Sequence, residues 1–371
     1  MKDLTKGKIS TLILGFAIPV FLGNLLQLTY SLVDTRIVGS FLGEDALAAV
    51  GATSTLSGLI IGFLLGLSNG FAIITAQKFG AKNIADMKKS FAMSLVIGTG
   101  ISILFTIAGL LFLKPILHFL NVPKHLVPVA KGYIAIIIAG LLATFLYDAC
   151  AATLRAIGDA VTPLIILAIS VALNIVGDLF FVVVLKTGVK GAAIATVLAQ
   201  IIAFVICWIY MIRKYEILRL QKEDFKDPSP IMVKEMISAG MSMGFMSSLV
   251  NIGTLTLQTA INKLGKDIII AHTAARKISE IFMIMFSVFG QTMATYCGQN
   301  MGAGKIDRVK RGIWLAIVYT AIWSGLTIIA SYTIGGWLVY LVTGSHNKTV
   351  ILNATNYLKF DTLFYIETTL I

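Results

Sequence analysis

Asp34, Asn174, Asp178 and Thr196 carry oxygen donors into stretches of chain that are otherwise apolar. Asn174 and Asp178 are four residues apart, so on a helix they share a face. At 1.5 Å per residue, Asp178 lies about 15 Å before a turn near Gly188, and Thr196 about 12 Å after it on the returning helix. Asp34 lies about 13 Å before its own turn at Gly43. Three helices thus bring oxygens to a similar depth. Such a set suits two chemistries. It can hold Na⁺ through hard oxygen ligands, or it can hold a proton on one of two facing carboxyls. The plain alternative is a buried hydrogen-bond network that only fixes helix packing. Ionisable groups inside apolar spans are rare and mark ion or substrate pathways.

The elements that position these groups are long apolar helices. Hydrophobic residues make up 57% of the 371-residue chain and charged residues 13%, with a mean hydropathy of +0.89. Ten transmembrane helices are expected, over 10–38, 46–76, 90–113, 127–150, 161–186, 190–212, 233–262, 268–298, 312–342 and 350–371. The runs are continuous rather than alternating, which excludes barrel strands. The net charge of +12 sorts by loop. Lys2, Lys6, Lys8, Lys78, Lys82, Lys88, Lys89 and the basic stretch 213–234 fall on one side, which places the N-terminus in the cytoplasm of a multi-pass cell-membrane protein. The basic excess then reads as orientation and contact with membrane lipids, not as a nucleic-acid footprint. Cys150, Cys207 and Cys297 are dispersed and expected to be free thiols. There is no Walker A loop and no HExxH, so enzyme chemistry is not expected, and no cofactor beyond a coupling ion, Na⁺ or H⁺.

The chain repeats itself. A shift of 222 residues lays Leu42-Gly43 on Leu264-Gly265, Asp45 on Asp267, Gln77 on Gln299 and Gly80-Ala81 on Gly302-Ala303. A first six-helix lobe is expected over 1–212, a cytoplasmic linker over 213–234, and a second lobe over 235–371. An even number of spans precedes the linker, so the two copies are parallel repeats, a transporter architecture. By the same shift the second copy would run to about residue 434, so about ten of twelve helices are expected here.

Other residues invite a reading. Pro19 permits a kink in the first span, either a static one or a switch. Arg276 and Glu280 are spaced to pair on one helix, or to line a water-filled cavity instead. His272 reads as a packing residue. Gly58, Gly62, Gly66 and Gly70 let a second helix approach closely. Met236, Met241, Met243, Met246, Met283 and Met285 suit an adaptable apolar cavity or ordinary core and lipid-facing surface.

Taken in order, these landmarks resemble the multidrug and toxic compound extrusion (MATE) transporters. The resemblance is carried by AIPVFLGNLLQLTYSLVDTRIVGSFLGEDALAAVG at 17–51, AQKFGAKN at 76–83, LRAIGD at 154–159, ALNIVGDLFF at 172–181, GAAIATVLAQ at 191–200, ARKISEIFMIMFSVFGQ at 275–291 and GQNMGAGK at 298–305. It implies an all-α integral membrane fold of two parallel-repeat bundles around a cleft. It implies efflux by alternating access, coupled to Na⁺ or H⁺. Asp34, Asn174, Asp178 and Thr196 match the family's first-lobe cation site, and Pro19 its kinking proline. Gln27 and Tyr30 match its first-lobe pocket, and Arg276 and Glu280 a looser stretch of its eighth helix. A second-lobe acid on the missing helices would lie beyond this chain.

The leading expectation is a cation-coupled antiporter exporting small organic, often cationic, compounds, acting as a monomer. A lipid-linked oligosaccharide flippase is the first rival, and would need a cavity rich in Arg and Lys to face pyrophosphate. A membrane-embedded enzyme would need Asp-rich metal motifs that the chain lacks. A structural scaffold is the third.

Overall fold

The computed structural model describes residues 2–120, 122–261, 266–344 and 347–368. Among these residues every regular element is helical. α1 (Ile9–Leu42) runs unbroken through Pro19 and stops at Gly43, whose φ of 85° a side chain would resist. α2 (Glu44–Gly80) opens on Glu44 and Asp45, acids that suit the positive end of a helix. α3 (Ile84–Leu111) is capped by the Asn83 side chain, which accepts from the Asp86 N–H. A short α4 (Leu113–Phe119) follows.

The span expected over 127–150 is two helices, α5 (Val127–Ala139) and α6 (Leu141–Ala156), bent by 43° at Gly140. A Cβ at Gly140 would overlap the Val197 side chain, so the break lets the neighbouring helix in. α7 (Val161–Asp178) passes into a π-helical turn, Leu179–Val184, and α8 (Val189–Lys214) returns. The linker is two short 3₁₀ turns between Lys214 and Pro230, anchored by the buried Leu218. α9 (Pro230–Ile261), α10 (Lys266–Gly302) and α11 (Ile306–Thr333) continue the second half. The span expected over 312–342 breaks at Ile334 into α11 and α12 (Gly335–Thr343). α13 (Lys348–Leu363) and α14 (Tyr365–Thr368) end the described chain. Seven of these helices are long and apolar enough to cross a membrane, and the bent α5–α6 pair makes eight. α9 and α13–α14, on the expected spans 233–262 and 350–371, fall outside that set, and the ends of both expectations lie outside the described residues.

Two of the four spaced glycines of α2 do what their spacing predicts, while Gly58 and Gly62 meet only side-chain atoms of α9. Cβ atoms at Gly66 and Gly70 would press into the α9 backbone at Met243 and Ala239, so the two helices meet backbone to backbone. The duplicated landmarks meet as well. A Cβ at Gly80 would overlap the Gln299 carbonyl, and one at Gly302 would overlap the Gln77 carbonyl. Because Gln77 and Gln299, and Gly80 and Gly302, are repeat equivalents, each half presents the same patch to the other, the reciprocity of a two-fold contact. The repeat partners Leu264-Gly265 lie outside the described residues.

The N-terminal segment seals this end. Leu4 is 1% exposed, its N–H donates to Gln299 Oε1 at 2.9 Å, and its carbonyl accepts from Asn300 and Arg308. Gln299 in turn donates to the Ala156 carbonyl at 2.8 Å, so one buried amide ties the N-terminus, α6 and α10 together. Buried polar groups held this way are costly to separate.

Candidate functional site

A cavity of about 580 Å³ lies within the first half and faces α10 of the second. That size suits a small organic molecule. α1 lines it with Asn24, Gln27, Tyr30 and Asp34, α2 with Ser54, Ser57 and Gly58, and α5–α6 with Tyr133, Tyr147, Asp148 and Arg155. α8 adds Thr196 and Gln200, and α10 adds Gln291 from the second half.

The four residues expected to work together do meet. Asp178 is fully buried at the end of α7, where the helix loosens into the π-helical turn, a feature frequent at functional sites. Asn174 is 2% exposed one turn earlier. The amide orientation that satisfies its neighbours has its nitrogen donating to Asp178 Oδ2 at 2.9 Å, while its oxygen accepts from the Thr196 N–H at 3.1 Å and hydroxyl at 3.2 Å. The Tyr30 hydroxyl lies 3.3 Å from Thr196 Oγ1. The Asp34 carboxyl reaches Asp178 as a hydrogen-bond partner, closing a chain from α1 through α7 to α8. Yet Oδ1 of Asp34 and Oδ1 of Asp178 are both buried with no partner, as is Oε1 of Gln200 in the same wall. Two carboxyls in contact are held together only by a proton or cation between them. Buried oxygens left without partners beside one another leave room for an ion or a proton to fill them.

Gln27 and Tyr30 line the cavity as expected, and so does Pro19. Pro19 has no N–H to offer the Gly15 carbonyl one turn below. Arg276 and Glu280 are not among the lining residues. Arg276 donates to Thr254 Oγ1 at 3.2 Å, and Glu280 pairs with Lys277 at 3.1 Å, so the expected Arg276–Glu280 pair does not form. Nor do the methionines line this cavity: Met236 is packed in the core, while Met246 and Met283 are exposed. His272 is a packing residue, buried and edge-on to Tyr357 with ring centres 5.1 Å apart.

Three acids escaped the sequence reading. The first, Asp148, stands in the cavity wall on α6 with the base Arg155. Asp361 sits in the second half, accepting from Ser279 Oγ at 2.7 Å and Tyr365 Oη at 2.8 Å. The third, Asp159, lies just beyond α6, outside the spans. Burial alone would push its carboxyl up, but hydrogen bonds from the Thr162 hydroxyl at 2.6 Å, the Tyr215 hydroxyl at 2.7 Å and the Thr162 N–H at 3.0 Å hold it below the usual carboxylate range. The rule that singled out Asp34 and Asp178, an acid inside an apolar run, applies equally to Asp148 and Asp361.

Comparison with known proteins bears on this arrangement. The MatE family model matches residues 19–180 and 242–370. The probable multidrug resistance protein YpnP of Bacillus subtilis (strain 168) is 30% identical over 367 residues, which is 98% of this chain and 80% of that protein. An FAD transporter of Shewanella oneidensis is 21% identical over 89% of this chain and 74% of its own length. Among solved structures, a multidrug resistance MATE family transporter in an outward-facing conformation superposes with a TM-score of 0.90 at 22% identity, over 99% of this chain and 81% of that one. The two-halved helical fold, the cavity and these matches lead to one assignment: the chain belongs to the MATE family of membrane transporters, and is not an enzyme.

Proposed function

We propose that this protein is a cation-coupled antiporter that exports small organic compounds across the cytoplasmic membrane by alternating access. The observation that carries the reading is the Asp34–Asp178 contact, a half-buried carboxyl of the cavity wall against a fully buried one behind it, with an unpartnered buried oxygen on each. An entering H⁺ or Na⁺ neutralises that contact. Na⁺ would draw ligands from Asp34, Asn174, Asp178 and Thr196, while a proton needs only the two carboxyls.

The conformation supports an order of events. The halves are closed at the end bearing Leu4 and Gln299, which the loop charges assign to the cytoplasm, so the cavity faces outward. The coupling cation then enters from outside and displaces a cationic substrate from the acidic wall. Pro19 leaves α1 free to bend below Asp34, linking occupancy of the pair to the shape of the cavity. The multidrug relative supports a broad range of organic substrates, and the FAD transporter relative shows that the fold also serves other cargo. The flippase rival needs a basic cavity, whereas this wall sets Asp34 and Asp148 against Arg155.

The test is export from proteoliposomes under imposed H⁺ or Na⁺ gradients. One of the two gradients drives dye export by the wild type, and Asp178→Asn abolishes the dependence. Export that follows the gradient equally in Asp178→Asn would remove the proposal.

A further inference from the structure

Asp148 and Arg155 are the cavity charges that the coupling chemistry does not use. They are seven residues apart on α6, which is two turns, so both project from nearly the same face about 10 Å apart along the axis. Both line the 580 Å³ cavity. Neither takes part in an ion pair within 4 Å among the described residues. Asp148 makes no hydrogen bond to another described residue. Of the five donors on Arg155, the described partner is Asn69 Oδ1 at 3.3 Å. Opposite charges on a wall within an apolar bundle are costly when left without partners, and a ligand that brings both complements recovers that cost.

Depth gives the pair a direction. Arg155 lies at the inner end of α6 beside the seal, where it also borders a small recess with Asn69, Gln291 and Thr295. Asp148 lies two turns earlier on α6, in the wall of the cavity.

Resting on the exporter reading, we propose that Asp148 and Arg155 form a two-charge substrate site for amphoteric compounds, with the anionic group of the molecule held inward at Arg155 and its cationic group at Asp148. The site sets which compounds are taken, separately from the Asp34–Asp178 pair that couples their movement. A purely cationic compound meets Asp148 alone, and an anion meets Arg155 across an acidic wall.

The experiment is equilibrium binding of rhodamine B, a zwitterion, and of its ethyl ester, a cation of nearly the same shape, to the detergent-solubilised full chain. No gradient is involved, so the outcome is independent of coupling. The wild type binds rhodamine B more tightly than the ester. Arg155→Gln weakens rhodamine B about tenfold, to the level of the ester, and leaves the ester unchanged, while Arg155→Lys retains most of the preference. Asp148→Asn weakens both dyes about tenfold. An unchanged ratio of the two dyes in Arg155→Gln, with thermal unfolding showing a folded protein, overturns the proposal. So does unaltered binding of both dyes in Asp148→Asn. Should Arg155→Gln not fold, equal binding of the two dyes by Arg155→Lys or by the wild type overturns it. Gradient-driven export is scored separately: its absence from the wild type with the dye preference intact defeats the coupling mechanism and leaves this site standing.

Discussion

Asp178 and Asp361 are both carboxylates set in helix bundles of the same protein, one in each half, and their surroundings are opposite. Asp361 Oδ2 accepts from Ser279 and Tyr365, both within 2.8 Å, and Tyr365 is itself buried in the second-half core. Asp178 has an amide on one oxygen, nothing on the other, and a second carboxyl as its neighbour. A carboxylate with two fixed hydroxyls on one oxygen holds helices together. One whose acceptors stay open, against another acid, waits for something mobile. Burial of an acid in a membrane helix therefore does not by itself mark a coupling site. What marks it is the chemistry left undone around it.

The largest effect that this contrast predicts is functional. Asp178→Asn loses gradient-driven export by at least about a hundredfold while its unfolding temperature holds or rises, because a repulsive contact is removed. Asp361→Ala gives the mirror image. It costs about 1.5–3 kcal/mol of stability, read by thermal unfolding in detergent, and keeps the gradient dependence of whatever folded protein remains. If Asp361→Ala instead folds normally and uncouples export, the distinction between the two halves is wrong.

Asp159 sharpens the comparison as a satisfied acid in the first half. Its carboxyl sits below the usual range, so its stabilisation is present above the ordinary carboxylate value near pH 4 and fades as pH falls through its lower folded value. Asp159→Asn costs about 1–2 kcal/mol at neutral pH, and the gap from wild type narrows below about pH 4 in pH-dependent unfolding. The smallest effect belongs to Glu280, whose pair with Lys277 is about half exposed. Glu280→Gln should shift stability by no more than about 0.5 kcal/mol.

How much of this was legible in the sequence follows the range of the interactions. Local rules carried far. Continuous apolar runs gave the helices, and the four-residue spacing put Asn174 and Asp178 on one face. Repeat arithmetic matched Gly80 to Gly302, which turned out to press on each other's partner carbonyls. Long-range packing was not readable. The bend at Gly140 exists because Val197, more than fifty residues on, needs the space. Asp361 was missed for a related reason. The repeat of Asp34 falls on Thr256, so the second half places its acid elsewhere, and internal symmetry points to the wrong position. Arg155 reads as a loop charge because α6 ends one residue later, yet the closed inner end turns it into the cavity.

The central claim is that the Asp34–Asp178 pair trades a cation for substrate, and cation release on substrate binding tests it most directly. Saturating dye is added to the purified wild type and to Asp34→Asn in weakly buffered detergent solution, with a pH indicator and a Na⁺-selective electrode reading the medium. The wild type is expected to release H⁺ or Na⁺ in fixed proportion to dye bound, and Asp34→Asn to bind dye without release. Equal release from both proteins would contradict it.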